Sequence, residues 1–112
     1  MSVYPYTIEY YLTENSRKPF KEWLDQLRDI RGRAKVRVSL DGIRLGNLGD
    51  KRSLGEGVFE LRIDFGPGYR VYFGIENKRV ILLLLGGDKS SQNKDIAQAK
   101  EYWRDHQRRK TL

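Results

Sequence analysis

Two stretches in the middle of the chain alternate apolar and polar residues, and the short turn between them limits how they can pair. Val58 to Phe65 sets Phe59, Leu61, Ile63 and Phe65 on one side and Val58, Glu60, Arg62 and Asp64 on the other. Tyr69 to Ile75 repeats this, with Tyr69, Val71, Phe73 and Ile75 apolar and Arg70 and Tyr72 opposite. A period of two marks a strand with one buried face, and Gly66-Pro67-Gly68 is a turn. A three-residue loop pairs Phe65 with Tyr69, Asp64 with Arg70 and Arg62 with Tyr72, so the apolar faces coincide. A two-residue loop would oppose apolar to polar, which register forbids. Glu60, Arg62, Asp64, Arg70 and Tyr72 are therefore expected on one face of one hairpin.

The flanking segments follow by the same reasoning. Tyr4 to Leu12 alternates and predicts a strand whose inner side carries Tyr6, Ile8, Tyr10 and Leu12. Phe20, Trp23, Leu24 and Leu27 fall at helical spacing, with Asn15 or Ser16 as candidate cap and Pro19 in the first turn. A turn around Arg31 and Gly32 leads to a second helix, Arg33 to Leu45, with Val36, Leu40 and Ile43 inward and Gly46 as its stop. The glycine-rich stretch from Asn47 to Gly57 is a loop with room for a short strand near Arg52 to Leu54. Arg79 to Leu85 is apolar on both sides, as in a central strand covered on both faces. Ser91 is the candidate cap of a last helix, about Gln92 to Arg108, with Ile96, Ala99 and Trp103 inward. The order is an N-terminal strand, a helical hairpin, an antiparallel three-stranded meander and a C-terminal helix. The fold class is α+β, in one domain spanning 1–112.

Composition removes several chemistries. The 112 residues contain no Cys and one His, so thiolate zinc sites, disulfides and multi-His metal motifs are absent. No metal or other cofactor is expected. No basic segment followed by an apolar one opens the chain, and the run from Val80 to Leu85 is too short for a bilayer. The expectation is a cytoplasmic protein with no membrane partner. Lys and Arg exceed Asp and Glu by 22 to 15, a net charge of +7, which points to a nucleic acid or an acidic protein.

The candidate cations are Arg62 and Arg70 on the hairpin, Lys51 and Arg52 upstream, and Lys89 just past the third strand. Several fixed cations at one groove suit a phosphate backbone, and Tyr72 beside them could stack on an unpaired base. The plain alternative is a cross-strand ion pair between Asp64 and Arg70. Arg33, Lys35, Arg37 and Arg44 read as a solvated helix face. Gly86-Gly87 reads as a bend after a buried strand, His106 as exposed, and Trp23 and Trp103 as core.

The stretch from Gly57 to Phe73, with Asp64-Phe65-Gly66-Pro67-Gly68-Tyr69-Arg70 at its centre, and the later Gly86-Gly87-Asp88-Lys89-Ser90 closely resemble the RelE/ParE superfamily of toxin–antitoxin toxins, in its HigB-like, addiction module killer protein branch. The helix start Pro19-Phe20-Lys21-Glu22-Trp23-Leu24 joins the resemblance. It implies a RelE-like fold and a ribosome-dependent, metal-independent endoribonuclease that cuts mRNA and so inhibits translation. The implied partners are the ribosome with its mRNA and a cognate antitoxin, usually a helix-turn-helix protein from the adjacent gene. The catalytic cations of the family fall on Arg70, Lys89 and, nearby, Arg62, and its basic loop on Lys51 and Arg52. The family's C-terminal Tyr has no counterpart near Asp95, the nearest being Tyr102. The alternative within the superfamily is a ParE-like toxin that cuts nothing and poisons DNA gyrase by binding it.

Overall fold

The structure, a computed structural model, describes residues 4–110. In chain order it consists of β1 (Thr7–Tyr10), α1 (Pro19–Gln26), α2 (Ile30–Arg44), β2 (Lys51–Ser53), β3 (Val58–Ile63), β4 (Tyr69–Glu76), β5 (Val80–Gly87), a 3-10 turn (Lys89–Ser91) and α3 (Gln92–Lys110). The class is α+β. The five strands form one mixed sheet in the order β1-β5-β4-β3-β2, with β1 parallel to β5 and the other pairs antiparallel.

The sheet is a shared wall between two apolar clusters. On one face Phe20 and Leu24 of α1 and Val36, Leu40 and Ile43 of α2 meet Leu61, Ile63, Val71, Phe73, Ile81 and Leu83. On the other, Ala99 and Trp103 of α3 meet Tyr11, Val58, Tyr72, Leu82 and Leu84. This explains why β5 is apolar on both sides: alternate residues face the helical hairpin and α3.

Local departures from the sequence expectation have local causes. Neither Asn15 nor Ser16 caps α1. Residues 13–17 close a turn of their own, with Ser16 in the left-handed region at φ 61°, and the helix starts at Pro19 behind Lys18, whose side chain makes no cap. The α1–α2 turn lies at 27–29 rather than around Arg31 and Gly32. Asp29 accepts a hydrogen bond from Gly32 N–H at 3.0 Å and caps α2. Leu12 turns outward while Tyr11 buries against α3. Asp88, not Ser91, caps the turn that leads into α3, accepting from Ser90 N–H at 2.8 Å.

The β3–β4 register is shifted by two from the expected one. Ile63 pairs with Tyr69, Arg62 with Arg70 and Glu60 with Tyr72. Residues 65–68 close on themselves through Gly68 N–H to the Phe65 carbonyl at 3.1 Å, with Gly66 and Gly68 at positive φ, so Asp64 and Phe65 leave the ladder. A shift of two keeps every side chain on its face, and the shared face therefore survives.

Two tyrosines pin helices to opposite faces of the sheet. Tyr69 donates its hydroxyl to Asp29 of the α2 cap at 2.7 Å, over Gly32, where a Cβ would meet the ring at 2.6 Å. Tyr11 donates to Asp105 of α3 at 2.5 Å. Burial first, then the carboxylate partner, pushes each hydroxyl from 10.0 up to about 12. A pKa raised on folding leaves stability unchanged below the unfolded value and removes it as pH climbs through the gap. The urea midpoint should hold steady up to about pH 10, fall between about 10 and about 12, and fall less in Tyr69→Phe. A midpoint flat across that window would contradict both contacts.

Candidate functional site

β3 and β4 place two arginines directly opposite each other, Arg62 against Arg70. Like charges so placed repel. Glu60, two positions further along the same face, offsets the repulsion. Its Oε1 accepts from Arg62 Nε at 3.1 Å, and its Oε2 stands 3.6 Å from Arg70 Nε, an ion pair longer than a hydrogen bond. Gln92, at the start of α3, donates Nε2 to the same Oε2 at 2.9 Å. Glu60 is 0% exposed and Arg70 6%. A carboxylate removed from water must be held by charge and hydrogen bonds, and these three side chains supply both. Arg70 Nη1 also donates to the Gly68 carbonyl at 2.6 Å, which locks the guanidinium under the hairpin tip.

Lys89 reaches the same tip from the end of β5. Its backbone N–H lies 3.4 Å from the Pro67 carbonyl. A Cβ built on Gly68 would meet Arg70 Nη1 at 3.3 Å and Lys89 Cβ at 3.6 Å, so the Arg70 guanidinium and the root of the Lys89 side chain flank that glycine. Beside them is a hollow of about 270 Å³ lined by Arg62, Arg70, Asp50, Asp64 and Tyr69. Arg62 and Lys89 are exposed and Arg70 is a buried strut between them.

Of the expected site residues, Arg62 and Arg70 come together at the hollow, and Lys89 brings its backbone and Cβ to the same hairpin tip while its exposed side chain lines a separate hollow with Ser90, Gln92 and Lys94. Arg52 pairs with Glu60 in register and shares their face at the exposed edge of the sheet. Lys51 does not. It pairs with Leu61, points to the opposite face, and sits 4.8 Å over the Phe59 ring. Tyr72 is fully buried under α3 and presents no ring to a base. Burial, helped by the Glu60 and Asp95 carboxylates, pushes its hydroxyl pKa upward. The expected Asp64–Arg70 ion pair is replaced by Glu60–Arg70, because Asp64 lies beyond the ladder.

Gln92 and Asp95, both from α3, were missed. Burial pushes the Asp95 carboxyl upward, against a hydrogen bond from Ser91 Oγ at 2.5 Å. The legible signal was Gly86-Gly87. These glycines are sites of close approach, not a bend: the Asp95 carboxylate lies against Gly87 on one face and the Trp23 ring against Gly86 on the other. His106 is also not free. Its Nε2 lies 2.6 Å from Glu76 Oε1 and its ring stacks on Trp103, well away from the arginine hollow. Among the described residues no group of three or more His, Cys, Asp or Glu could hold a metal ion, and no helix is long and apolar enough to cross a membrane.

No family model matches the chain. Among curated proteins, an uncharacterized protein of Haemophilus influenzae is 49% identical over 81 residues, which cover 72% of this chain and 82% of that protein.

Removing one partner from a buried ion pair costs about 3–5 kcal/mol. Glu60→Gln should therefore destabilise the fold by about 3 kcal/mol in urea titration, and adding Arg70→Met should recover part of the loss by removing the orphaned cation. A double-variant loss equal to the sum of the Glu60→Gln and Arg70→Met single losses would show that the pair is uncoupled.

Proposed function

The chain belongs to the family of that Haemophilus protein, and from the chemistry of its own hairpin tip we propose that it is a toxin of a type II toxin–antitoxin module with a RelE-like fold. In this reading it is an endoribonuclease that cuts ribosome-bound mRNA and so inhibits translation, and an antitoxin from a neighbouring gene holds it in check. The observation that carries the reading is the convergence of Arg62, Arg70 and Lys89 at one end of the sheet. The sequence resemblance through Gly57 to Phe73 adds to it.

The arrangement suits cleavage without a cofactor. A ribose 2′-oxygen attacks the adjacent phosphorus as the bond to the leaving 5′-oxygen breaks, and negative charge gathers on the phosphoryl oxygens. Arg62 and Lys89 would contact those oxygens from either side, while Arg70 contributes charge from beneath with its orientation fixed by Glu60 and Gly68. The Asp64 carboxylate lines the same hollow and could take up the 2′-hydroxyl proton. Arg52 extends the cationic track along the sheet edge, whereas Lys51 and Tyr72 drop out of the RNA surface.

The burial of Arg70 favours a second reading, in which the tip is a rigid binding surface and the protein, like ParE-type toxins, poisons DNA gyrase. Induced expression with transcript-end mapping separates the two. On the first reading, cuts appear in translated mRNA in phase with codons, and Lys89→Ala or Arg62→Ala lowers their frequency about a hundredfold, the scale of losing one transition-state donor. Lys89→Ala is a surface substitution that leaves the fold intact, whereas Arg62→Ala also removes a partner of buried Glu60, so its stability is measured in urea alongside. DNA-damage signalling without cuts would favour the second reading, and growth arrest untouched by either variant would remove the hollow from both.

A further inference from the structure

The hollow at the hairpin tip mixes two signs of charge. Arg62 and Arg70 make it cationic, yet Asp50 and Asp64 line it as well. Both aspartates are exposed, and neither carboxylate has a hydrogen bond or ion pair among the described residues. Arg62 donates only its Nε, to Glu60 at 3.1 Å, which leaves both Nη groups open. A hollow whose task ended at phosphate would be weakened by two carboxylates, since like charges repel. Asp64 has a place in the cleavage chemistry above, and Asp50 has none. Asp50 stands just before β2. One step beyond the Lys51–Leu61 pair, the β2–β3 register brings it alongside Arg62 and onto the face of Arg52 and Glu60.

We propose that the hollow reads a guanine nucleotide, with Asp50 as the specificity-determining residue. An unpaired base offers its Watson–Crick edge to a protein. Guanine presents two adjacent donors there, N1–H and the N2 amino group, which match the two oxygens of one carboxylate. The uracil N3–H lies between two carbonyl acceptors, and the adenine and cytosine amino groups each lie beside an acceptor ring nitrogen, so a carboxylate is repelled by all three. The phosphate of the same nucleotide would lie on the open Nη groups of Arg62. A cationic ligand would meet Asp50 but also two guanidinium groups, whereas a neutral donor edge that carries its own phosphate satisfies both signs. At about 270 Å³ the hollow is just under the size of a pocket for a drug-sized ligand, which suits one base. The inference deepens the assignment of this hollow to RNA and rests on it.

The test titrates the full chain with GMP, AMP, CMP, UMP and XMP, followed by the amide NMR signals of the hairpin tip. GMP should bind about tenfold tighter than AMP, CMP or UMP, the scale of one bidentate base contact. Asp50→Asn should weaken GMP and strengthen XMP, each by about tenfold, because the C2 carbonyl of xanthine accepts from the new amide. A merely structural role for Asp50 produces no such exchange, and its exposure keeps the fold out of the result. Arg79→Ala, in the turn at the other end of β4, removes a charge and should leave every affinity unchanged. Equal affinities for the four common nucleotides, or a GMP preference unmoved by Asp50→Asn, would overturn the proposal. Transcript-end mapping separates the sources of the base. Guanine enriched beside the cuts, and less so in Asp50→Asn, identifies a residue of the RNA, whereas a GMP preference without that enrichment identifies a free nucleotide. Cuts with no guanine preference in either measurement would overturn the inference and leave the nuclease reading standing. A GMP preference without any cuts would do the reverse.

Discussion

Glu60 is the constraint on which the functional end of the molecule depends. It is a carboxylate sealed from water between β3, β4 and the start of α3. Transferring such a group from water costs several kcal/mol unless its oxygens are met by charge and by donors. Both needs are satisfied by residues that would otherwise repel or go unpaired: Arg62 and Arg70 face each other across the strands, and Gln92 arrives from a helix that begins thirty-odd residues later. Removing Glu60 from this arrangement would leave two opposed guanidinium groups repelling each other, Arg62 without its carboxylate and Arg70 with the Gly68 carbonyl as its remaining acceptor. The carboxylate therefore acts on the hollow without touching anything bound there, by fixing where the cations stand.

The same end of the sheet is tied down from three directions. Gly68 accepts from Arg70, Pro67 receives the backbone of Lys89, and Tyr69 reaches across Gly32 to Asp29. A tight turn in which Gly66 and Gly68 take positive φ allows this, since it places Asp64 outside the ladder and leaves Arg62 and Arg70 as partners. Side chains held this way lose little further freedom when a ligand arrives, which is the physical content of a preorganised electrostatic site. It also explains why the most buried of the three cations, Arg70, is suited to orient its neighbours and supply field more than to grip a ligand directly.

Periodicity made the sheet readable in advance, because each strand meets a different environment. β3 and β4 alternate since one face meets the helical hairpin, and β5 is apolar throughout since both faces are covered. The faces were legible even though the β3–β4 register was not. Hydrophobic pattern fixes register only to the nearest even step, and the choice between steps was made by the hydrogen bonding of 65–68. Tyr72 and Lys51 were misplaced for a different reason. Sequence shows which residues share a face of a strand, but not which face a distant helix will cover. α3 lies over Tyr72, and the pairing of β2 with β3 turns Lys51 away from the arginines. Gln92 and Asp95 entered the site by the same long-range packing, and only the two adjacent glycines at the end of β5 hinted at so close an approach.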